Sequence, residues 1–175
     1  MRTAVFATAL LVASGCVSTP GDALICRSNG MAGVQYGQTI ESTTAKVDEI
    51  TSVGVRYYTM EPALDIAPFE RLVVGATPAS GQVFSIRLEK HGNAADLDRD
   101  IAMVKARLED AYPTMAWQVI GNHHHAKGMP DLDLTVYRIG ELKGGRPSFL
   151  LSYDCDNKRY RQVVIDEART VGEQQ

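Results

Sequence analysis

The sequence contains 175 residues with a formal net charge of −3, and 45% of them are hydrophobic. A chain of this length and composition is typical of a single domain with a sizeable core. The mildly acidic balance argues against nucleic acid as a partner, because binding to a phosphate backbone requires basic patches. We interpret the one local basic cluster, Lys158, Arg159 and Arg161, as a solvated helix face.

The first sixteen residues, MRTAVFATALLVASGC, contain one cation, an apolar segment and small residues directly before Cys16. The apolar segment Ala4–Ala13 is shorter than the about 20 residues that a helix needs to cross a bilayer. This pattern resembles the signal peptide and lipobox of bacterial lipoproteins. The resemblance implies cleavage before Cys16 and a lipid on that cysteine. An ordinary secretory signal, which would leave Cys16 as a free thiol, is the alternative.

The same resemblance divides the chain into three parts. Residues 1–15 would be the signal peptide, residues 16–25 the lipidated N-terminus and a polar tether, and residues 26–175 a single α+β domain. In lipoproteins of Gram-negative bacteria, an Asp after the lipidated cysteine favours inner-membrane retention. If the source is Gram-negative, Val17 at this position therefore implies the outer membrane, facing the periplasm. The expected location is the cell envelope, with the lipid as the membrane contact.

The chain has three cysteines, and an odd number in an exported protein requires an explanation. With Cys16 assigned to the lipid, Cys26 and Cys155 remain as one pair in an oxidising compartment. A bond between them would close a long loop and stabilise the fold by about 4–5 kcal/mol at most. Two buried free thiols are the alternative. No Cys-x-x-Cys spacing occurs, so we expect a structural bond rather than redox chemistry.

Four elements are predicted in the first part of the folded chain. Met31–Gly37 predicts a strand, and a helix is expected from Thr39 through Ile50. Val53–Met60 is rich in β-branched and aromatic residues, which is typical of a strand. Glu61–Phe69 contains two prolines and predicts a loop, because proline cannot donate a backbone hydrogen bond.

A hairpin and a helix are predicted next. Arg71–Thr77 and Gln82–Glu89 have strand-like composition and are joined by the turn-forming sequence Pro78–Gly81. An apolar stripe with helical spacing then predicts an amphipathic helix, capped by Asn93 and stopped by Pro113. The members of this stripe are Leu97, Ile101, Val104, Leu108 and Ala111.

The C-terminal part has a similar order of elements. Met115–Ile120, Leu132–Ile139 and Pro147–Asp154 predict strands, and Asn122–Pro130 predicts a loop. A final helix, capped by Asp156, is indicated by an apolar stripe that consists of Tyr160, Val164, Ala168 and Val171.

Together these elements predict an α+β fold with an antiparallel sheet and helices packed on one face. The predicted order contains a helix followed by three strands twice. In this repeat Ala45–Val47 aligns with Val104–Ala106, and Leu72–Val74 with Leu134–Val136. The order resembles that of small secreted α+β domains of the outer-membrane assembly lipoprotein and β-lactamase inhibitor-protein type. This resemblance implies a fold and a binding style, and no activity.

Motifs that carry chemistry are weak in this chain. No Gly-x-Ser-x-Gly, His-Glu-x-x-His or Walker pattern occurs, so the sequence predicts no catalytic residue, no cofactor and no enzyme. His123, His124 and His125 lie in a predicted loop, where alternate rings could reach one metal ion. Three adjacent histidines rarely converge on one ion, and we predict no metal site. A metal-binding envelope lipoprotein that uses the His123–His125 loop is therefore the second hypothesis.

Most of the aromatic residues fall on predicted strands. Tyr and Trp anchor protein partners when they lie on an open surface and fill the core otherwise. By alternation, Tyr58 and Tyr137 oppose the more apolar faces of their strands, so we expect both to be exposed and to bind a partner. The first hypothesis is therefore a membrane-anchored interaction module with an envelope protein as its partner.

Overall fold

The structure is a computed structural model that describes residues 23–40, 46–143 and 146–172. Cys16 and the predicted signal peptide lie outside these ranges. Neither helix in the described ranges is long and apolar enough to span a bilayer. The strands are β1 (Gly30–Met31), β2 (Val34–Gln35), β3 (Lys46–Ile50), β4 (Arg56–Met60), β5 (Arg71–Ala76), β6 (Val83–Gly92), β7 (Ala116–Ile120), β8 (His123–Lys127), β9 (Leu132–Lys143) and β10 (Arg146–Asn157), and the helices are α1 (Ala94–Ala111) and α2 (Lys158–Gly172).

Strands β3 to β10 form one antiparallel sheet of eight strands in the order β3-β4-β5-β6-β10-β9-β8-β7. Each half of the sheet is a four-stranded meander followed by a helix, and the halves meet where β6 pairs with β10. The prediction of an α+β fold, with an antiparallel sheet and helices on one face, is confirmed. In the described ranges the repeating unit is four strands followed by a helix, rather than a helix followed by three strands.

The segment Met31–Gly37, predicted as one strand, instead contains the turn between the paired strands β1 and β2, and two further predicted elements are wrong. The helix expected from Thr39 through Ile50 is replaced, in its described C-terminal part, by strand β3, which pairs with β4. The alignment of this segment with α1 therefore also fails. The loop expected over Asn122–Pro130 contains strand β8, which pairs with β7 and β9. Neither segment has a clear alternation of polar and apolar residues, so pairing with neighbouring strands decides the conformation.

Helix α1 agrees with its prediction. Asn93 caps its N-terminus, with the side-chain oxygen accepting a hydrogen bond from the Asp96 N–H at 3.0 Å. The helix buries one apolar stripe against the sheet, and this stripe consists of Leu97, Ile101, Val104 and Leu108. The sheet residues of the same core include Leu72, Val74, Ile86, Leu88, Val136 and Leu151. These residues determine which face of the sheet is covered.

Helix α2 begins one residue later than predicted. Its cap is Asn157, whose Oδ1 accepts the Arg159 N–H at 3.0 Å. Asp156, the predicted cap, is still part of β10. Tyr160 in the first turn of α2 packs against the edge of the core. The correction matters because it places the Asp156 side chain on the sheet rather than at a helix end.

The N-terminal segment, residues 23–40, packs on the same core and is tied to β10. Cys26 and Cys155 form the predicted disulfide, with a Cα–Cα distance of 6.2 Å. The Tyr36 hydroxyl donates a hydrogen bond to the Cys155 carbonyl at 2.8 Å. The disulfide and this hydrogen bond attach the beginning of the described chain to a central strand.

The folded part begins earlier than the predicted start at residue 26. Ala23 and Leu24 are buried in the structure. The Leu24 carbonyl also accepts a hydrogen bond from the Tyr153 hydroxyl at 2.9 Å. The last residues of the segment 16–25, predicted as a tether, are therefore part of the domain.

Candidate functional site

The face of the sheet opposite the core contains a cleft between β8, β9, β10 and the start of α2. Val136 and Tyr153 belong to the core, so the alternate residues of β9 and β10 lie on the open face. The cleft has a volume of about 570 Å³. It is lined by His123, His125, Ala126, Lys127, Asp133, Leu134, Thr135, Tyr137, Ile139, Asp154, Asp156 and Arg161.

Three carboxylates come together in this cleft. Asp133 and Asp156 are direct cross-strand partners on β9 and β10, and Asp154 lies two residues before Asp156 on the same face. Like charges at such positions repel one another. Asp133 is compensated by Arg161 at 3.0 Å and by Lys158 at 3.6 Å. The other two carboxylates have different surroundings.

Asp154 is held by several neighbours. It accepts hydrogen bonds from the Ser152 hydroxyl at 2.5 Å and the Tyr137 hydroxyl at 3.2 Å. The Arg87 Nε lies 3.1 Å from Oδ1 of Asp154, an ion pair without hydrogen-bond geometry. The Arg87 guanidinium also lies 5.5 Å from the ring centre of Tyr57. Burial raises the pKa of Asp154 above its ordinary value, although Arg87 opposes the shift.

Asp156 has a weaker set of partners. Among the residues that the structure describes, no Lys, Arg or His forms an ion pair with it. Burial raises the pKa of Asp156, and the nearby Asp154 adds to that shift. A hydrogen bond from Ser85 and the positive charges of Arg161 and Arg87 oppose it. Asp156 is therefore the carboxylate of the cleft that a positive charge from another molecule would compensate.

Strand β8 divides the histidine triplet between the two faces of the sheet. His123 stacks on Tyr137 with ring centroids 4.7 Å apart and on His125 at 6.0 Å, all on the cleft side. On the other face, the Nδ1 of His124 lies 3.5 Å from the Lys105 Nζ, and burial together with Lys105 lowers the pKa of His124. Within the described ranges no three His, Cys, Asp or Glu side chains are grouped suitably for a metal ion.

The two tyrosines predicted to bind a partner have different positions. Tyr137 is half-buried and forms part of the cleft wall. Tyr58 is only 4% exposed and pairs in register with the core residue Val74, so its predicted exposure is wrong. The predicted alternation includes residues such as Val55, which precede the actual strand Arg56–Met60. That count assigned Tyr58 to the wrong face.

The prediction from sequence did not include Arg87 or Tyr57, which lie beside the cleft on the open face. Gly75, within β5, is the sequence signal that could have indicated them. A Cβ at Gly75 would lie 2.9 Å from the Tyr57 ring. Glycine inside a strand often marks such a close approach, so it indicates a large side chain packed across the sheet.

Comparisons of the chain with protein-family models, with curated proteins and with solved structures found no match. The chemistry of the cleft is therefore the basis for a functional proposal.

Proposed function

We propose that the chain is a membrane-anchored binding module of the cell envelope, which takes a basic segment of a partner protein into the open-face cleft. Asp156 is the observation that carries the proposal. Its carboxylate lies in a cleft of about 570 Å³ beside Asp154. A Lys or Arg side chain would compensate the buried negative charge. The attraction between the two charges would strengthen as water is excluded from the pair.

The remaining walls of the cleft suit a protein segment. The stacked rings of His125, His123 and Tyr137 form a continuous aromatic wall, against which the aliphatic stem of a Lys or Arg can pack. Tyr137 is fixed by its hydrogen bond to Asp154. A wall that is ordered before binding reduces the entropy lost on association.

The proposed anchor is the lipid on Cys16, which the lipobox resemblance supports. Metabolic labelling of the full chain with radioactive palmitate tests this part separately. We expect label in the wild-type chain and none after Cys16→Ala. Label that persists in the variant would refute the anchor without affecting the cleft.

Peptide titration followed by NMR tests the cleft. We expect hexalysine to shift the backbone amide signals of Thr135 and Asp156 in the full chain, and hexaglutamate to leave them unchanged. Asp156→Asn should weaken the response to hexalysine by several-fold. Asp110→Asn, a matched change of an exposed acid on α1, should leave it unaltered.

The proposal fails if both peptides shift the same signals, or if Asp156→Asn and Asp110→Asn have equal effects. Either result would mean that the response reports net charge of the chain rather than the cleft.

The alternative function is a metal-binding envelope lipoprotein. Only His123 and His125 of the triplet share the cleft face, and the described residues supply no third ligand beside them. We therefore expect zinc titration to give the same negligible heats for the wild type and for a His123→Ala, His124→Ala, His125→Ala variant. A wild-type heat that the triple variant loses would favour the metal over the cleft.

A further inference from the structure

The two edge strands of the eight-stranded sheet differ in how they are protected against pairing. On β3, Asp48 and Glu49 are exposed, and the register with β4 is irregular between Val47 and Glu49. Charges and bulges of this kind prevent an edge from pairing with another strand. On β7, the sequence Ala-Trp-Gln-Val-Ile contains no charge and no proline, and its register with β8 is regular. Val119 and Ile120 on this edge are 56% and 57% exposed.

We propose that β7 pairs with β7 of a second copy of this chain, antiparallel, around a two-fold axis at Gln118. In this register Trp117 of each copy lies opposite Val119 of the other, and Ala116 lies opposite Ile120. Every exposed apolar residue of the edge then has an apolar partner, and an aromatic residue faces a β-branched one. The edge is thus complementary to itself, as a two-fold interface requires.

The backbone of β7 fits the same register. Ile120 and His123 close a two-residue turn and are the first pair of the β7–β8 ladder. Alternate residues of an antiparallel strand direct their N–H and C=O groups to opposite sides. Trp117 and Val119 therefore direct their N–H and C=O groups to the free side of β7. In the proposed pairing, Trp117 of one copy and Val119 of the other lie opposite each other as hydrogen-bonded pairs.

A second copy fits this edge better than the chain's own other edge does. Pairing of β7 with the β3 edge of another molecule would place Asp48 and Glu49 beside the apolar strand and would continue without closure into a fibre. The β7–β7 pairing closes after two molecules. This surface is separate from the open-face cleft, so it does not depend on the proposed function.

Cysteine cross-linking tests the register directly. The full chain carries Cys16→Ser in every variant, which leaves the introduced cysteine as the one cysteine outside the Cys26–Cys155 disulfide. Gln118→Cys should form a disulfide-linked dimer on mild oxidation, because Cα atoms at a non-hydrogen-bonded antiparallel pair are about 4.5 Å apart. Val119→Cys is the matched control, since its Cα would lie about 7–8 Å from its copy, beyond disulfide reach.

Sedimentation equilibrium tests the association itself. The wild-type chain should reach twice the monomer mass as its concentration rises, and Val119→Lys should stay monomeric. Ile50→Lys, at an exposed position of β3, should still form the dimer. A monomeric wild type, equal cross-linking of Gln118→Cys and Val119→Cys, or loss of association in Ile50→Lys would each overturn the proposal.

Discussion

Asp154 and Asp156 lie two residues apart on one strand, yet their surroundings give them different roles. Asp154 accepts hydrogen bonds from Ser152 and Tyr137 and lies beside the Arg87 guanidinium. Loss of one member of such a buried set leaves the others without partners. Asp154 is therefore a structural residue of the open face. The charge on Asp156 is compensated less, so it costs stability in the free chain and is available to a ligand.

We predict that Asp156→Asn stabilises the chain at neutral pH. A carboxyl whose folded-state pKa is raised binds a proton more readily when folded, so its contribution to the free energy of unfolding falls as the pH rises from about 3.9 through the raised pKa. The gain from Asp156→Asn should be present at pH 7 and absent at pH 3, where the wild-type carboxyl is protonated. Urea unfolding at both pH values measures it.

Asp133→Asn is the control for this prediction, because that carboxylate is about half exposed and paired with Arg161. Its removal should change the free energy of unfolding by no more than about 1 kcal/mol at either pH. A loss of stability in Asp156→Asn at pH 7 would contradict the assignment of Asp156 as the less compensated charge of the pair.

At this scale the sequence places Tyr137 on the open face but assigns Asp156 to a helix cap. The alternation in β9 is regular and places Tyr137 opposite the apolar residues Leu134 and Val136. Asp156 precedes a helix in sequence, where an acidic residue normally acts as a cap. In the structure Asp156 lies on the sheet, opposite its cross-strand partner Asp133. The local sequence does not show that these two strands pair.

Among the elements, α2 contacts β6 and β10 of the sheet and also the N-terminal segment. None of the described side chains of α2 is fully buried, and among them Tyr160 packs against the core. Tyr160 also lies over Gly37, where an added Cβ would clash with its hydroxyl. Glycine at this position therefore permits both the backbone conformation, with φ of +78°, and the approach of the helix.

We predict that Gly37→Ala destabilises the chain by more than the about 1 kcal/mol that a positive φ costs alanine. The excess comes from displacement of Tyr160. In the Tyr160→Ala background the clash is gone, so the added cost of Gly37→Ala should fall to about 1 kcal/mol. Urea unfolding of the four chains in this double-mutant cycle measures both quantities. Additive effects would show that Tyr160 does not pack on Gly37.

Helix α1 was predictable because its stripe, cap and stop signal all indicate the same element. Strand β8 was not, because three histidines and a lysine have neither apolar alternation nor strong strand propensity. Its conformation is set by hydrogen bonding to β7 and β9 on either side. The same reasoning applies to β3, where two exposed acids and an irregular register conceal the strand pattern.

At the largest scale, the described part of the chain consists of two four-stranded meanders joined at β6 and β10, with the N-terminal segment attached to β10. The fold class follows from the local patterns, since they show which segments are strands and which are helices. The order of the strands does not, because the β6–β10 pairing joins residues such as Ile86 and Cys155 that are distant in sequence. Packing of both helices against one sheet selects this pairing.

The disulfide between Cys26 and Cys155 should stabilise this arrangement mainly by restricting the unfolded chain. The two residues are 129 positions apart, and closing a loop of that length contributes about 5 kcal/mol at most. We predict that Cys26→Ala with Cys155→Ala lowers the free energy of unfolding by about this amount, while Cys16→Ser leaves it unchanged.

The N-terminal segment should remain docked in the double variant, since the Tyr36 and Tyr153 hydroxyls still bind the backbone on both sides. Urea unfolding gives the loss, and protection of the Cys26 position amide in hydrogen exchange shows docking. A loss below about 1 kcal/mol would mean that the loop-closure argument does not apply. The tyrosine hydrogen bonds would then hold the segment in place even in compact states of the unfolded chain.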